Sequence, residues 1–475
     1  DYEQTEQFWV IGAQLKLRDQ LLRKQNFKVA KNVIIFLGDG MSIPTLAAAR
    51  IYLGQQQGHT GEESKLFFED FPYVGLSKTY CLDKQVADSA CSATAYLSGI
   101  KANYGTIGVT GAVDYNNCDA AANPDYHIPS IMDWAQKEGK STGIVTTTRI
   151  THASPCGAYG HVGSREWECD TDILHQNGNP NVCQDIASQL VHNSPGNKFK
   201  VILGGGRKKF LPKSERNDHG ERSDGVNLIK EWIESKNGNG KYVFDKKGLR
   251  DLDLNKTEYL LGLFESDHMK YNLDADHEHQ PSLMDLTYVA IKMLEKEEKG
   301  FVLFVEGGRI DHAHHETKAR KALDETVQFS EAIRLATKLT NKQETLIVVT
   351  SDHAHTMSLS GYSNRGSDIL GLNTKTSDVD QMPYTTLSYA NGPGYQETIN
   401  SKRPNLTNEN FSDKNYQYPK IFPMKFETHG GDDVAVFAYG PWSHLFTGVY
   451  EQNVIPHLIG YAACLGEGLK ACDNV

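Results

Sequence analysis

The stretch Val33-Ile34-Ile35-Phe36-Leu37-Gly38-Asp39-Gly40 decides how this chain is read: five consecutive apolar residues run straight into an aspartate set between two glycines. A strand covered on both faces has no solvated side, so it loses the polar alternation of an exposed strand. Five further runs of this kind lie at residues 143–148, 201–203, 301–305, 346–350 and 434–438, with helical patterns between them. Such alternation predicts an α/β fold with an open, mostly parallel central sheet and helices on both faces.

The chemistry collects where the runs stop. Residues 33–37 lead to Asp39, and residues 301–305 to Glu306-Gly307-Gly308-Arg309-Ile310-Asp311-His312-Ala313-His314-His315. Residues 346–350 lead to Ser351-Asp352-His353-Ala354-His355, and residues 143–148 to Thr151-His152-Ala153-Ser154. Ligands of open α/β sheets sit beyond the carboxyl ends of the strands, so these four segments are predicted to converge. Carboxylates mixed with imidazoles suit a borderline divalent ion such as zinc. Asp311 and His315 share a face if a helix begins there, whereas the adjacent Asp352 and His353 need an irregular turn to reach one ion. His429, ahead of the last run, is a further candidate ligand, although a histidine beside paired glycines is commonly a loop residue.

Ser89 is the candidate nucleophile. Small residues from Ala87 to Ala95, then Tyr96, Leu97 and Gly99, predict a tightly packed helix starting near Ser89. A helix start offers free N–H groups to an anion such as phosphate. The plainer alternative makes Ser89 only the helix cap.

The 475 residues allow about three domains at ~150 each, or one large α/β domain with insertions. No apolar run approaches the ~20 residues of a membrane span. With 49 basic and 60 acidic side chains the net charge is −11, against nonspecific nucleic-acid binding. A phosphorylated substrate stays compatible, because a metal site reverses the local field. Phe8, Ile11, Leu15 and Leu22 place an amphipathic helix within residues 1–25, packed on its own domain or reaching a partner. Residues 360–428 lose periodicity and read as an inserted subdomain or a long loop set.

Eight cysteines include no CxxC pair, and Cys464 and Cys472 are spaced to close a short loop. Sequons at Asn255, Asn405 and Asn410 fit a secretory route and a glycoprotein. The absence of a basic-then-apolar leader suggests a mature, processed form, and a free or a lipid-anchored state is equally compatible with the tail. A G-x-S-x-G elbow is absent. Gly139-Lys140-Ser141, His277-Glu278-His279 and Gly204-Gly205-Gly206-Arg207 fit no complete nucleotide or zinc motif and read as loops.

Gly38-Asp39-Gly40-Met41, Asp88-Ser89-Ala90, the segments 306–315 and 351–355, and Thr428-His429-Gly430-Gly431 closely resemble the animal-type alkaline phosphatases, in order and across nearly the whole chain. The resemblance implies a broad phosphomonoesterase, acting at alkaline pH through a phosphoserine at Ser89. It implies one zinc on Asp311, His315 and His429, and a second on Asp39, Asp352, His353 and Ser89. A third ion, normally magnesium in the family, would sit on Asp39, Ser154 and Glu306. Arg165 would clamp phosphate, and His355 would orient a ligand. His152 and His312 beside the third site favour zinc there as an alternative. The family's calcium site is doubtful here, because Gln280 stands where the family has an acid near Phe264-Glu265. The resemblance further implies a secreted or surface-anchored homodimer, with residues 1–25 as an arm, residues 26–475 as the catalytic domain and residues 360–428 as a crown. The alternatives are a phosphodiesterase or sulfatase relative, and an inactive metal-binding ectodomain.

Overall fold

All six apolar runs are strands of one sheet, in a computed structural model that describes residues 2–394 and 403–474. In chain order the first eight strands are β1 (Asn32–Gly38), β2 (Tyr73–Lys78), β3 (Ser141–Arg149), β4 (Val201–Gly205), β5 (Gly240–Val243), β6 (Tyr259–Leu263), β7 (Phe301–Gly307) and β8 (Thr345–Thr350). There follow β9 (Ala354–His355), β10 (Ser358–Leu359), β11 (Leu387–Gly392), β12 (Lys420–Pro423), β13 (His429–Gly430), β14 (Val434–Tyr439) and β15 (Gly448–Glu451). The main sheet has the order β15-β2-β14-β8-β1-β7-β3-β4-β6-β5. Only β14 runs against its neighbours, β8 and β2. Gly204 and Gly205, expected in a loop, instead end strand β4.

Alternation across the pleat divides the core in two. Val33, Ile35 and Leu37 of β1 join one apolar cluster, with Tyr96 and Leu97 of the Ser89–Ser98 helix and Ile455 and Ile459 of the Val454–Ala463 helix. Ile34 and Phe36 join the other, with Ala48 of the Ile43–Gln56 helix, Leu286 of the Leu283–Leu294 helix and Leu323 of the Ala319–Leu339 helix. A strand sandwiched in this way has apolar residues at every position, which is why β1, β7 and β8 stand out in the sequence.

Register then fixes where the site must be. Leu37 of β1 lies opposite both Glu306 of β7 and Thr350 of β8, and Glu306 lies opposite Thr146 of β3. Four neighbouring parallel strands therefore end in one row, and Asp39, Glu306, Asp352 and the 151–154 turn follow from them. A two-strand ribbon, β9 with β13, pairs His355 with His429 and carries the late histidine to the same row.

The region 360–428 is not strandless. β11 pairs with β10 antiparallel and with β12 parallel in a small separate sheet. The N-terminal helix, Glu6–Leu21, buries none of its residues. The segment 1–25 touches its own chain through Glu3 with Arg365 and Arg23 over Tyr73, while most of the helix's side chains stay exposed.

Candidate active site

Ser89 is the first residue of a wholly buried helix, Ser89–Ser98, whose N-cap is Asp88. The cap is therefore Asp88, whose side chain accepts from the Cys91 N–H at 3.2 Å, and Ser89 is free of that task. Gly99 ends the helix in the left-handed region, at φ +80°, where glycine carries no steric penalty. The Ser89 Oγ lies 3.1 Å from the His353 Nε2. That nitrogen is also 3.1 Å from Asp352 Oδ2 and 3.5 Å from Asp39 Oδ1. Both of those carboxylate oxygens are buried without a hydrogen-bond donor.

Gly40 allows the close approach. Its φ is +66°, and a Cβ there would stand 2.4 Å from the His355 ring. Its N–H donates to Asp352 Oδ1 at 3.0 Å, which ties the end of β1 to the turn after β8. Gln452 Nε2 donates to the Asp352 carbonyl at 2.8 Å from beyond β15.

A second group surrounds Asp311, in the helix Arg309–His315. His429 Nδ1–H donates to the Ala87 carbonyl at 2.8 Å, and His315 Nδ1–H donates to the Glu427 carbonyl. Each ring thus keeps its Nε2 lone pair free, and the two Nε2 atoms face one another at 3.0 Å. Asp311 Oδ1 is 3.3 Å from each. Three electron-pair donors with no proton among them repel, and a cation between them relieves the repulsion.

His355 behaves differently. Its Nδ1 donates to Glu427 Oε2 at 2.5 Å and its Nε2 to Asp311 Oδ1 at 2.6 Å. Burial opposes charge on this ring, but the carboxylates of Glu427 and Asp311 outweigh it and push the imidazolium up to about 10. His355 thus bridges the carboxylates of Glu427 and Asp311.

The third group lies under Asp39. Ser154 Oγ donates to Asp39 Oδ2 at 3.3 Å. Glu306 Oε2 accepts from Thr146 and from Thr148, the latter at 3.2 Å, while Glu306 Oε1 is buried without a partner. Burial together with Asp352 and Asp311 holds the Asp39 carboxyl well above its usual range, and burial pushes Glu306 up to about 7. Apposed buried carboxyls shifted upward mark a place short of positive charge. His152 closes this group, and its ring contacts those of His312 and His268 with centroids 5.3 and 5.2 Å away.

Arg165 spans the groups. Its Nη1 donates to Asp88 Oδ2 at 3.1 Å and its Nη2 to His152 Nε2 at 3.2 Å. Asp88 thus caps the Ser89 helix and fixes the guanidinium.

Every residue singled out in the sequence falls in this assembly: Ser89, Asp39, Ser154, Glu306, Asp311, His315, Asp352, His353, His429, Arg165, His152, His312 and His355. Sequence reasoning missed Asp88, Glu427, His268 and Gln452. Asp88 lies inside a quoted motif and Glu427 next to one, but nothing in their spacing shows which group they face.

Residues 30–465 match the family model described as alkaline phosphatase. The chain belongs to the alkaline phosphatase family. It is 49% identical to a membrane-bound alkaline phosphatase of Bombyx mori, over 99% of this chain and 87% of that relative. Identity to the tissue-nonspecific isozyme of Gallus gallus is 47%, over 99% of this chain and 92% of the relative. Among solved structures, the Thermus thermophilus alkaline phosphatase aligns at 22% identity with a TM-score of 0.67, over 94% of each chain, a likeness of fold. The protein is an alkaline phosphatase that hydrolyses phosphate monoesters, and its donor set fits metal ions. Neither the diesterase or sulfatase reading nor the inactive-ectodomain reading is needed.

Three disulfides are present, Cys81–Cys91, Cys118–Cys183 and the expected Cys464–Cys472, while Cys156 and Cys169 are free and buried. Among the described residues no helix is long and apolar enough to cross a membrane.

Proposed function

We propose that hydrolysis proceeds through a phosphoserine at Ser89, with a broad range of monoesters and an alkaline pH optimum. Zinc is assigned to Asp311, His315 and His429, and a second zinc to Asp39, Asp352 and His353 beside Ser89. A third ion, magnesium or zinc, is assigned to Asp39, Ser154 and Glu306. When bound, the ions supply Lewis acidity and lower the pKa of hydroxyl groups nearby. The observation that carries the reading is Ser89 at a buried helix start, 3.1 Å from His353 and beside carboxylate oxygens that lack donors.

The chain's own residues then have defined tasks. The N-terminal N–H groups of the Ser89 helix face the incoming phosphoryl group. Arg165, held by Asp88 and His152, presents a fixed planar cation to its oxygens. Ser89 Oγ bonds to phosphorus as the bond to the alcohol oxygen breaks, and the alcohol leaves with a proton. Water then breaks the Oγ–phosphorus bond and releases inorganic phosphate and free Ser89. Recognition centres on the phosphoryl group, which supports a broad range of alcohols.

The test compares a chromogenic monoester with matched diester and sulfate esters from pH 6 to 11, before and after chelation and with Ser89→Ala. Strong monoester preference at alkaline pH, lost on chelation or substitution, is expected. Full turnover by Ser89→Ala overturns the phosphoserine.

The ring cluster of His152 and His312 favours zinc at the third position. Metal analysis of protein purified with excess magnesium checks this, and two zincs with one magnesium refute it. The peripheral position offers calcium one negative charge fewer than the family's acid would. Gln280 is a neutral amide, with Oε1 accepting from Lys270 N–H at 2.8 Å and Nε2 donating to the Lys270 carbonyl at 3.1 Å.

We further propose a homodimer, with residues 1–25 as the arm and 360–428 as a crown on the catalytic domain 26–475. The unburied apolar side chains of both segments support it. Exposed Asn255, Asn405 and Asn410 support a glycosylated, extracellular protein, either free or lipid-anchored.

A further inference from the structure

The nucleophile is reached through an exposed segment of chain. Residues 82–86 are exposed and belong to no helix or strand. Yet the next three residues each fix one functional group. The Ala87 carbonyl accepts from His429 Nδ1–H at 2.8 Å and so sets that ring's tautomer. Asp88 Oδ2 accepts from Arg165 at 3.1 Å, while its Oδ1 accepts from the N–H groups of Cys91 at 3.2 Å and Gly105 at 3.1 Å. Ser89 is the third.

Cys81 and Cys91 close this segment with a disulfide ten residues long. The two cysteines, with Ala87 and Ala102, form a small buried cluster separate from the two cores on the faces of the sheet. Two further hydrogen bonds tie the segment, Leu82 N–H to the Ala102 carbonyl at 2.9 Å and Tyr104 N–H to Asp83 Oδ1 at 2.7 Å. An exposed, irregular segment opens locally at low cost, and joining its ends removes most of those conformations. Displacing a reacting atom by about 1 Å lowers rate by about a hundredfold.

We propose that the Cys81–Cys91 disulfide is a positioning device for catalysis, which holds Ala87, Asp88 and Ser89 in register with His429 and Arg165. The inference rests on Ser89 being the nucleophile. It assigns the covalent bond a task in the reaction that a purely fold-stabilising bridge would lack.

The test uses metal-replete full-length protein, wild type, Ser89→Ala, C81S/C91S and the space-filling C81V/C91A. Circular dichroism, thermal midpoint and metal content are measured beside kcat, KM and the inhibition constant of inorganic phosphate. Both double variants are expected to keep the wild-type spectrum, to lose about tenfold to a hundredfold in kcat and to bind phosphate several-fold more weakly. Unchanged kcat and phosphate inhibition in C81V/C91A overturn the proposal. Failure of that variant to fold also overturns it, since the bridge then serves the fold. Ser89→Ala separates the two levels: if it stays active the phosphoserine reading falls, and if it is dead while C81V/C91A is fully active only this inference falls.

Discussion

Two regions of the molecule break the usual rule of apolar inside and charged outside, in opposite senses. At the ends of β8, β1, β7 and β3, four carboxylates (Asp39, Glu306, Asp311 and Asp352) are buried among seven histidines (His152, His268, His312, His315, His353, His355 and His429), with several oxygens lacking donors. On the N-terminal helix and on β12, large apolar side chains face water: Leu21 is 76% exposed, Trp9 60%, Ile421 70% and Phe422 62%. In the proposals above, each region is half of a contact. Buried carboxylates are stable only when a cation or donor meets them, and contiguous exposed apolar surface marks a site of association. One region asks for ions and the other for a protein surface.

Chelation attacks the first region and should have the largest effect. Removing the ions is expected to abolish turnover and to lower the thermal midpoint by several degrees, because bound ligands stabilise the state that binds them. Calorimetry with and without chelator measures this. An unchanged midpoint would mean that the carboxylates are neutralised by protons alone.

Arg165→Lys probes how far the same region depends on shape as well as charge. The positive charge is kept and the planar fork is lost, so phosphate inhibition should weaken by about tenfold. Inhibition kinetics at fixed metal content check it, and an unaltered constant would show that Arg165 acts as a simple charge.

Deleting residues 1–25 attacks the second region. None of the helix's residues is fully buried in its own chain, so the truncated protein should keep its fold and catalytic site while the proposed dimer dissociates at higher concentration. Sedimentation equilibrium decides, and an unchanged dimer would leave the crown as the main contact.

The smallest effect separates site histidines from ordinary buried ones. His161 donates Nε2–H to the Ile128 carbonyl at 3.1 Å and stacks on His127 with centroids 4.5 Å apart. Burial and His127 push it down to about 4. Between that value and the ordinary one near 6.5, the unfolded chain binds a proton that the folded chain does not. Stability therefore falls as pH drops through this window. His161→Gln should flatten that slope by on the order of 1 kcal/mol, discounted for partial exposure. Denaturant midpoints at pH 7 and 4.5 measure it, and parallel slopes would refute it.

Six central strands were legible in the sequence because two-sided burial leaves an unbroken apolar run. β2, β5 and β15 were not, since Tyr73-Val74-Gly75-Leu76-Ser77-Lys78 and its like are short and mix polar with apolar residues, and β6, Tyr259–Leu263, is apolar but short and broken by Gly262. The direction of β14 was hidden for another reason: an apolar run is the same pattern whichever way its neighbour points. The candidate site was legible because Asp39, Glu306 and Asp352 each lie at or just beyond the end of such a run.

By itself the sequence determined the α/β fold, the strand ends that carry chemistry and the inventory of carboxylates, imidazoles and Ser89, all of which follow from local pattern. Only the tertiary structure decided what each imidazole is. His315, His355 and His429 are the same residue type, yet their Nδ1 atoms meet the Glu427 carbonyl, the Glu427 carboxylate and the Ala87 carbonyl in turn. The difference lies in whether a ring meets one backbone carbonyl or two carboxylates, partners that pairing of distant segments supplies and no local spacing encodes.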